Sequence, residues 1–257
     1  MILLNLLWWL GWAWFVAWTA LPLVLLPELG PLAGGVAWAV LAPWSSLFGM
    51  ATVHRLLPKG ASGRHQMFAD PGSVQWALKG WAPGLYLTVF QPVFFLSPAF
   101  QRVALGAFQA RLGAGATVTS RTVLREPHRV RIGRGSVIGE FAHLVTSYQP
   151  RPHVLIVGEI DIGDDVLIAG YCHLAMGVRI GDGSILEHEV RVGPGCVVGN
   201  SARVGHGTLL CARSQVGVGA IIGSRCLILA DTVIPDGARV PDGATIGNSH
   251  PTIRGAA

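Results

Sequence analysis

Charge is almost absent from the front of this 257-residue chain: Glu28 is the only Asp, Glu, Lys or Arg before Arg55. Aromatics are scarce at the back, where Phe141, Tyr148 and Tyr171 are the only three beyond residue 110. None of the four cysteines (Cys172, Cys196, Cys211, Cys226) belongs to a CxxC, which removes zinc-knuckle spacing. No four basic residues are consecutive, and no aromatics are interleaved with the basic residues of the back half. The net charge of +5 therefore does not mark a nucleic-acid surface. With 51% apolar and 13% charged residues, a disordered chain is excluded as well.

What is present divides just as sharply. Seven of the nine tryptophans precede residue 45, and 23 of the 34 glycines follow residue 110. Residues 2–26 form a charge-free run long enough, at about 1.5 Å per helical residue, to cross a hydrocarbon core of roughly 30 Å. A cleaved leader fits less well, since no Lys or Arg precedes the run. A turn-like PELGP and a second uncharged run, residues 32–53, make residues 1–54 a transmembrane hairpin. Arg55, Lys59 and Arg64 follow it, so the positive-inside rule puts the N-terminus and everything after residue 54 on the cytoplasmic side of the inner membrane. Residues 55–111 contain a basic loop and an apolar stretch broken by Pro83, Pro92 and Pro98. That stretch reads as interfacial or re-entrant helices, with a third span as the rival.

From Ile132 to Ile246 an aliphatic residue returns every six positions, and Pro150 is the only failure among twenty. Glycine follows the aliphatic in ten cases, Gly133, Gly163 and Gly205 among them, and is expected to supply backbone freedom at a bend. Two positions before it stand small or β-branched residues, including Cys172, Cys196 and Cys226, which reads these cysteines as core. A period of six fits neither an amphipathic helix nor an alternating sheet; it marks a solenoid of short strands and corners.

This pattern resembles the hexapeptide-repeat superfamily over residues 112–250. The resemblance implies a left-handed parallel β-helix with three six-residue sides per coil, followed by a tail at 251–257. With eighteen residues per coil, His143, Asp161 and Arg179 are expected in one outward column, about 4.8 Å apart, and His188 and His206 in another. A carboxylate beside an imidazole holds its tautomer and raises its pKa, as a general base requires. Leu144 and Ile162 then lie one coil apart, and QPRPHV (149–154) leaves the wall only as a small bulge. His173 is expected on a different side from His143.

IGDDVLIAGYCHLAMGVRIGDG (162–183) and GAGATVTSRTVLREPHRVRIGRGSVIG (113–139) are similar to hexapeptide O-acetyltransferases of sugars and polysaccharides. The membrane segments and RLGA at 111–114 resemble the membrane-bound C-terminal regions of peptide-synthetase-like proteins. The superfamily's carbonic-anhydrase-like zinc proteins fit less well, because Gly170 and Ala175 stand where their paired histidines belong. The resemblance implies acyl transfer from acyl-CoA, the co-substrate, to a hydroxyl or amine, with no bound cofactor or metal. Histidine is the implied base: His143 first, His153 second, with Asp161 beside the first and His173 brought near by packing in a homotrimer. PDGATIGNSHPTIR, from Pro241, is similar to the exit region near the coenzyme's nucleotide, which implicates Gly243, Asn248 and Arg254. Outward aliphatics such as Leu167, Ile185, Leu209 and Val233 support a trimer independently, since a lone solenoid would expose them. The expected function is a membrane-anchored acyltransferase acting on a lipid-linked or membrane-proximal acceptor in the bilayer. The rival from another class is a non-catalytic trimeric scaffold.

Overall fold

A computed structural model describes residues 2–26, 28–119 and 121–247. Its class is the expected one, an N-terminal helical region followed by a left-handed parallel β-helix.

Helices α1 (Ile2–Leu25) and α2 (Pro31–Leu56) form the hairpin. By length and composition α2 is able to cross a membrane, and Trp9–Leu25 is a shorter apolar segment among the described residues. Glycine notches let the two helices approach. Trp18 lies over Gly49, where a Cβ would come within 2.3 Å of the indole, and Trp14 Nε1 donates to the Gly49 carbonyl at 3.2 Å. The outer surface stays apolar, with Trp9, Leu10, Leu32, Val36 and Phe48 exposed.

The apolar stretch that follows is helical in three pieces. Asp70 caps α3 (Pro71–Val89) by accepting from the Ser73 amide at 2.9 Å. Pro92 and Pro98 stand in the first turns of α4 (Gln91–Leu96) and α5 (Pro98–Ala107), where a missing N–H costs nothing. These helices pack on the second half of α2: the Tyr86 hydroxyl donates to the Pro43 carbonyl at 2.8 Å, and Phe100 meets Trp44 with ring centroids 4.5 Å apart.

Beyond Arg111 the chain winds into three seven-stranded parallel sheets. The first runs from Arg111–Leu112 to Val233–Ile234, the second from Thr117–Val118 to Arg239–Val240, the third from Val123–Leu124 to Thr245–Ile246. The six-periodic aliphatics and the small residues two before them fill one continuous core, in which Cys172, Cys196 and Cys226 are buried free thiols.

Two expectations about the coil need correction. The glycine after each aliphatic is not the one that bends the chain. A Cβ at Gly133, Gly205 or Gly217 would meet backbone of the next coil at 2.3–2.6 Å, so these positions need glycine for close approach. Left-handed backbone falls two residues later, at Gly135 (φ 66°), Gly207 (φ 66°) and Gly219 (φ 65°), or at Tyr171 and Asp231 in other corners.

The second correction concerns the coil after Leu144, which carries an excursion. Ser147–Arg151 and Val154–Val157 leave the wall as an antiparallel hairpin, not a small bulge, and Ile156 pairs with Arg64 instead of entering the core. Strand Gly63–Gln66, from the loop after α2, adds to the hairpin's edge and ties the helical module to the β-helix.

Beside this small sheet lies a buried polar joint. Glu126, 4% exposed, accepts from Trp76 Nε1, Thr146 Oγ1 and Ser147 Oγ. Arg129, 2% exposed, donates to the carbonyls of Lys59 and Gly60. Lys79 Nζ donates to the carbonyls of His54 and Leu57, and the His54 and His128 rings stand 5.0 Å apart. Every carbonyl so used lies in the last turn of α2 or in the loop after it, where no helix bond satisfies it.

Candidate functional site

The excursion rearranges the expected site. His143 does not stack on Asp161; it is the register partner of His173, on adjacent rungs of the third sheet, with ring centroids 5.6 Å apart. The two histidines therefore share a side within one chain, and no partner subunit is needed to bring them together. Thirty residues separate them because the twelve-residue hairpin segment is inserted into one eighteen-residue coil. Asp161 lies on the first sheet between Arg131 and Arg179, and Arg131 Nη1 donates to its Oδ1 at 3.2 Å. Its charge is occupied there in a surface ladder beside an open recess of about 460 Å³.

The other sequence-derived residues stand apart from the histidine pair. His153 sits exposed at the hairpin turn with φ 65°, its carbonyl accepting from the Met67 amide at 2.9 Å. His188 and His206 stack as expected at corners between the second and third sheets, where the Gly207 amide donates to the His188 carbonyl at 2.9 Å. Gly243 occupies a left-handed turn with φ 70° and open space around it. Asn248 and Arg254 lie outside the described residues.

Both histidines are exposed on the solenoid wall. Strands only two residues long place each one directly before an inward leucine, so backbone alternation points the imidazoles outward. Partial burial holds His173 below the ordinary imidazole range, with the charges of His143 and Arg191 adding to the effect. Near neutral pH it is an uncharged neighbour of His143. Two residues upstream in each coil, Phe141 and Tyr171 stack at 4.9 Å, and the Arg121 guanidinium lies 5.2 Å from the Phe141 ring centroid. The site thus combines two imidazoles with a flat aromatic and cationic shoulder.

One rung below His143 on the same sheet is Val123, its register partner. Val123 also borders a crevice of about 140 Å³ between the first coil and α3–α5. Sequence reading missed this crevice, because its walls come from two modules with different periodicities. No signal in the sequence singled out Gln101, which stands beside Arg102 in α5.

No family model matches the chain, and no curated protein matches it. Solved structures do. An N-acyltransferase, AntD of Bacillus cereus in complex with dTDP and 3-hydroxybutyryl-CoA, is 14% identical, with 54% of this chain and 81% of that one covered at a TM-score of 0.44. LpxA of Acinetobacter baumannii is 20% identical over 54% of this chain and 61% of that one, at a TM-score of 0.40. A hexapeptide transferase family protein of Anaplasma phagocytophilum is 15% identical over 53% and 78%, at 0.43. At these values the likeness carries no information on activity, and the fold of this chain rests on its own sheets and period.

Proposed function

We propose that the protein is a membrane-anchored acyltransferase that moves an acyl group, acetyl in the simplest case, from acyl-CoA to a hydroxyl or amine of a membrane-proximal acceptor. The carrying observation is the His143–His173 pair on adjacent rungs of one face of the β-helix. His143 is the base. It takes the acceptor proton as the acceptor oxygen or nitrogen bonds to the thioester carbonyl carbon; the carbon–sulfur bond breaks, and the proton passes on to the departing thiolate. An uncharged His173 leaves the developing imidazolium without a like charge on the next rung. The Phe141–Tyr171 shoulder with Arg121 suits the planar and anionic parts of a coenzyme nucleotide. The apolar exterior of the hairpin belongs in a bilayer, with the β-helix on the cytoplasmic side. Outward aliphatics such as Leu167 and Val233 support self-association into a trimer.

The test is thioester consumption by detergent-solubilised full-length protein with acyl-CoA and acceptor. His143→Ala is expected to lower acceptor-dependent turnover by about 10²–10⁴-fold. Turnover unchanged in both His143→Ala and His173→Ala sinks the reading, and a wild type that binds no coenzyme A favours a scaffold.

A further inference from the structure

The crevice below His143 measures about 140 Å³, close to the size of an apolar cavity that accommodates a benzene-sized group. Leu87, Phe94, Leu105 and Val123 contribute apolar walls. Gln101 also lines it and is 4% exposed; its Nε2 donates to the Thr119 carbonyl at 3.0 Å, while its Oε1 has no partner. A buried acceptor left alone costs free energy, so the crevice is matched to an occupant that is mostly apolar and carries a hydrogen-bond donor.

Two continuities define that occupant further. Toward the hairpin, Phe94 packs on Phe100 with centroids 5.9 Å apart, and Phe100 packs on Trp44, which is 49% exposed on α2. A run of packed rings therefore links the apolar exterior of the hairpin to the wall of the crevice, with Phe94 and Phe100 themselves buried. Toward the β-helix, Val123 and His143 are lateral neighbours, about 4.8 Å apart. The walls are firmly held, because Arg102 donates to the Ala116 and Gly113 carbonyls at 2.6 and 2.7 Å and clamps α5 to the first coil.

We propose that this crevice is an acceptor subsite for a hydroxylated membrane lipid. The hydrocarbon leaves the crevice past Leu87 and Phe94 toward the apolar exterior of the hairpin, one hydroxyl donates to Gln101 Oε1, and a second reaches His143. The fate of the second hydroxyl rests on the acyltransferase reading; the binding itself does not.

The test uses the full chain in phosphatidylcholine nanodiscs and two photoreactive probes, an alkyl glucoside with a diazirine in its chain and a diazirine alkane of equal length. Glucoside crosslinks are expected on Leu87, Phe94 and Leu105. Gly84 borders the crevice and a Cβ there meets nothing within 4 Å, so Gly84→Leu fills the space without a clash and lowers labelling by both probes about tenfold. Gln101→Leu lowers glucoside labelling about tenfold and leaves alkane labelling unchanged. Crosslinks confined to the outer faces of α1 and α2, or labelling unchanged by both variants, overturn the site. Thioester consumption on the same samples separates the two readings. Crevice labelling without His143-dependent consumption keeps the lipid site and removes acyl transfer; consumption with an unlabelled crevice does the reverse.

Discussion

Glu126 and Asp231 are both acidic residues facing an arginine, in two regions held together by different physics. Asp231 meets Arg213 at 2.6 Å on the coil surface, with both side chains more than half exposed, while Glu126 stands 4.0 Å from Arg129 at the joint, both almost wholly buried. The shorter pair is the weaker one, because water already solvates both of its charges. In the joint each charge depends on the few polar atoms around it, so losing one strands the others. The coils repeat one solution many times over, whereas the joint has a single copy.

The largest expected effect therefore falls at the joint. Glu126→Ala leaves Arg129 as an uncompensated buried cation and should destabilise the protein by about 3–5 kcal/mol, read from denaturant unfolding of the detergent-solubilised chain. A loss too small to measure would erase the contrast between the two regions. Next comes a break in the coil itself. Gly205→Ala puts a methyl within 2.6 Å of the Gly223 carbonyl carbon and should cost about 1–3 kcal/mol in the same measurement.

Acid sharpens the contrast by acting on the joint. Burial, then the neighbouring charges of His54 and Arg129, pushes His128 down to about 2. The folded protein holds this imidazole neutral, and the unfolded chain protonates it near 6.5. Stability present above pH 6.5 is thus lost as pH falls toward 2, and between pH 8 and pH 5 His128 alone accounts for about 2 kcal/mol. His128→Leu should flatten that slope. At the far end of the scale, Asp231→Asn, which removes the charge but keeps a residue that tolerates φ 58°, should leave the unfolding midpoint nearly where it was, as expected for a screened surface pair.

The same contrast explains what could be read in advance. A six-residue period with inward aliphatics survives any sequence noise, and it located the sheets, the core and the buried cysteines. It failed at the hairpin because the twelve inserted residues are a multiple of six: Ile156 stayed in phase although its strand had left the coil. Physical hints were present. Pro150 breaks the series between Leu144 and Ile156, and both of these aliphatics are followed by valine where glycine stands in ten other cases. Missing the insertion misassigned His143 to Asp161 and separated it from His173. The joint was illegible for another reason. Glu126, His128 and Arg129 look like ordinary surface residues in sequence, and only the packing of α2 and α3 against the first coil buries them.

The clamp between α5 and the first coil gives the solenoid a fixed zero of height. Each rung stands at a set distance from that clamp along the solenoid, and His143 occupies the second rung of its sheet. An extra eighteen-residue coil inserted beneath it would move His143 about 4.8 Å further from the clamp while leaving its neighbours on the following rung in place. Under the proposed function, coil number would set how far the reacting group must reach from the helical module.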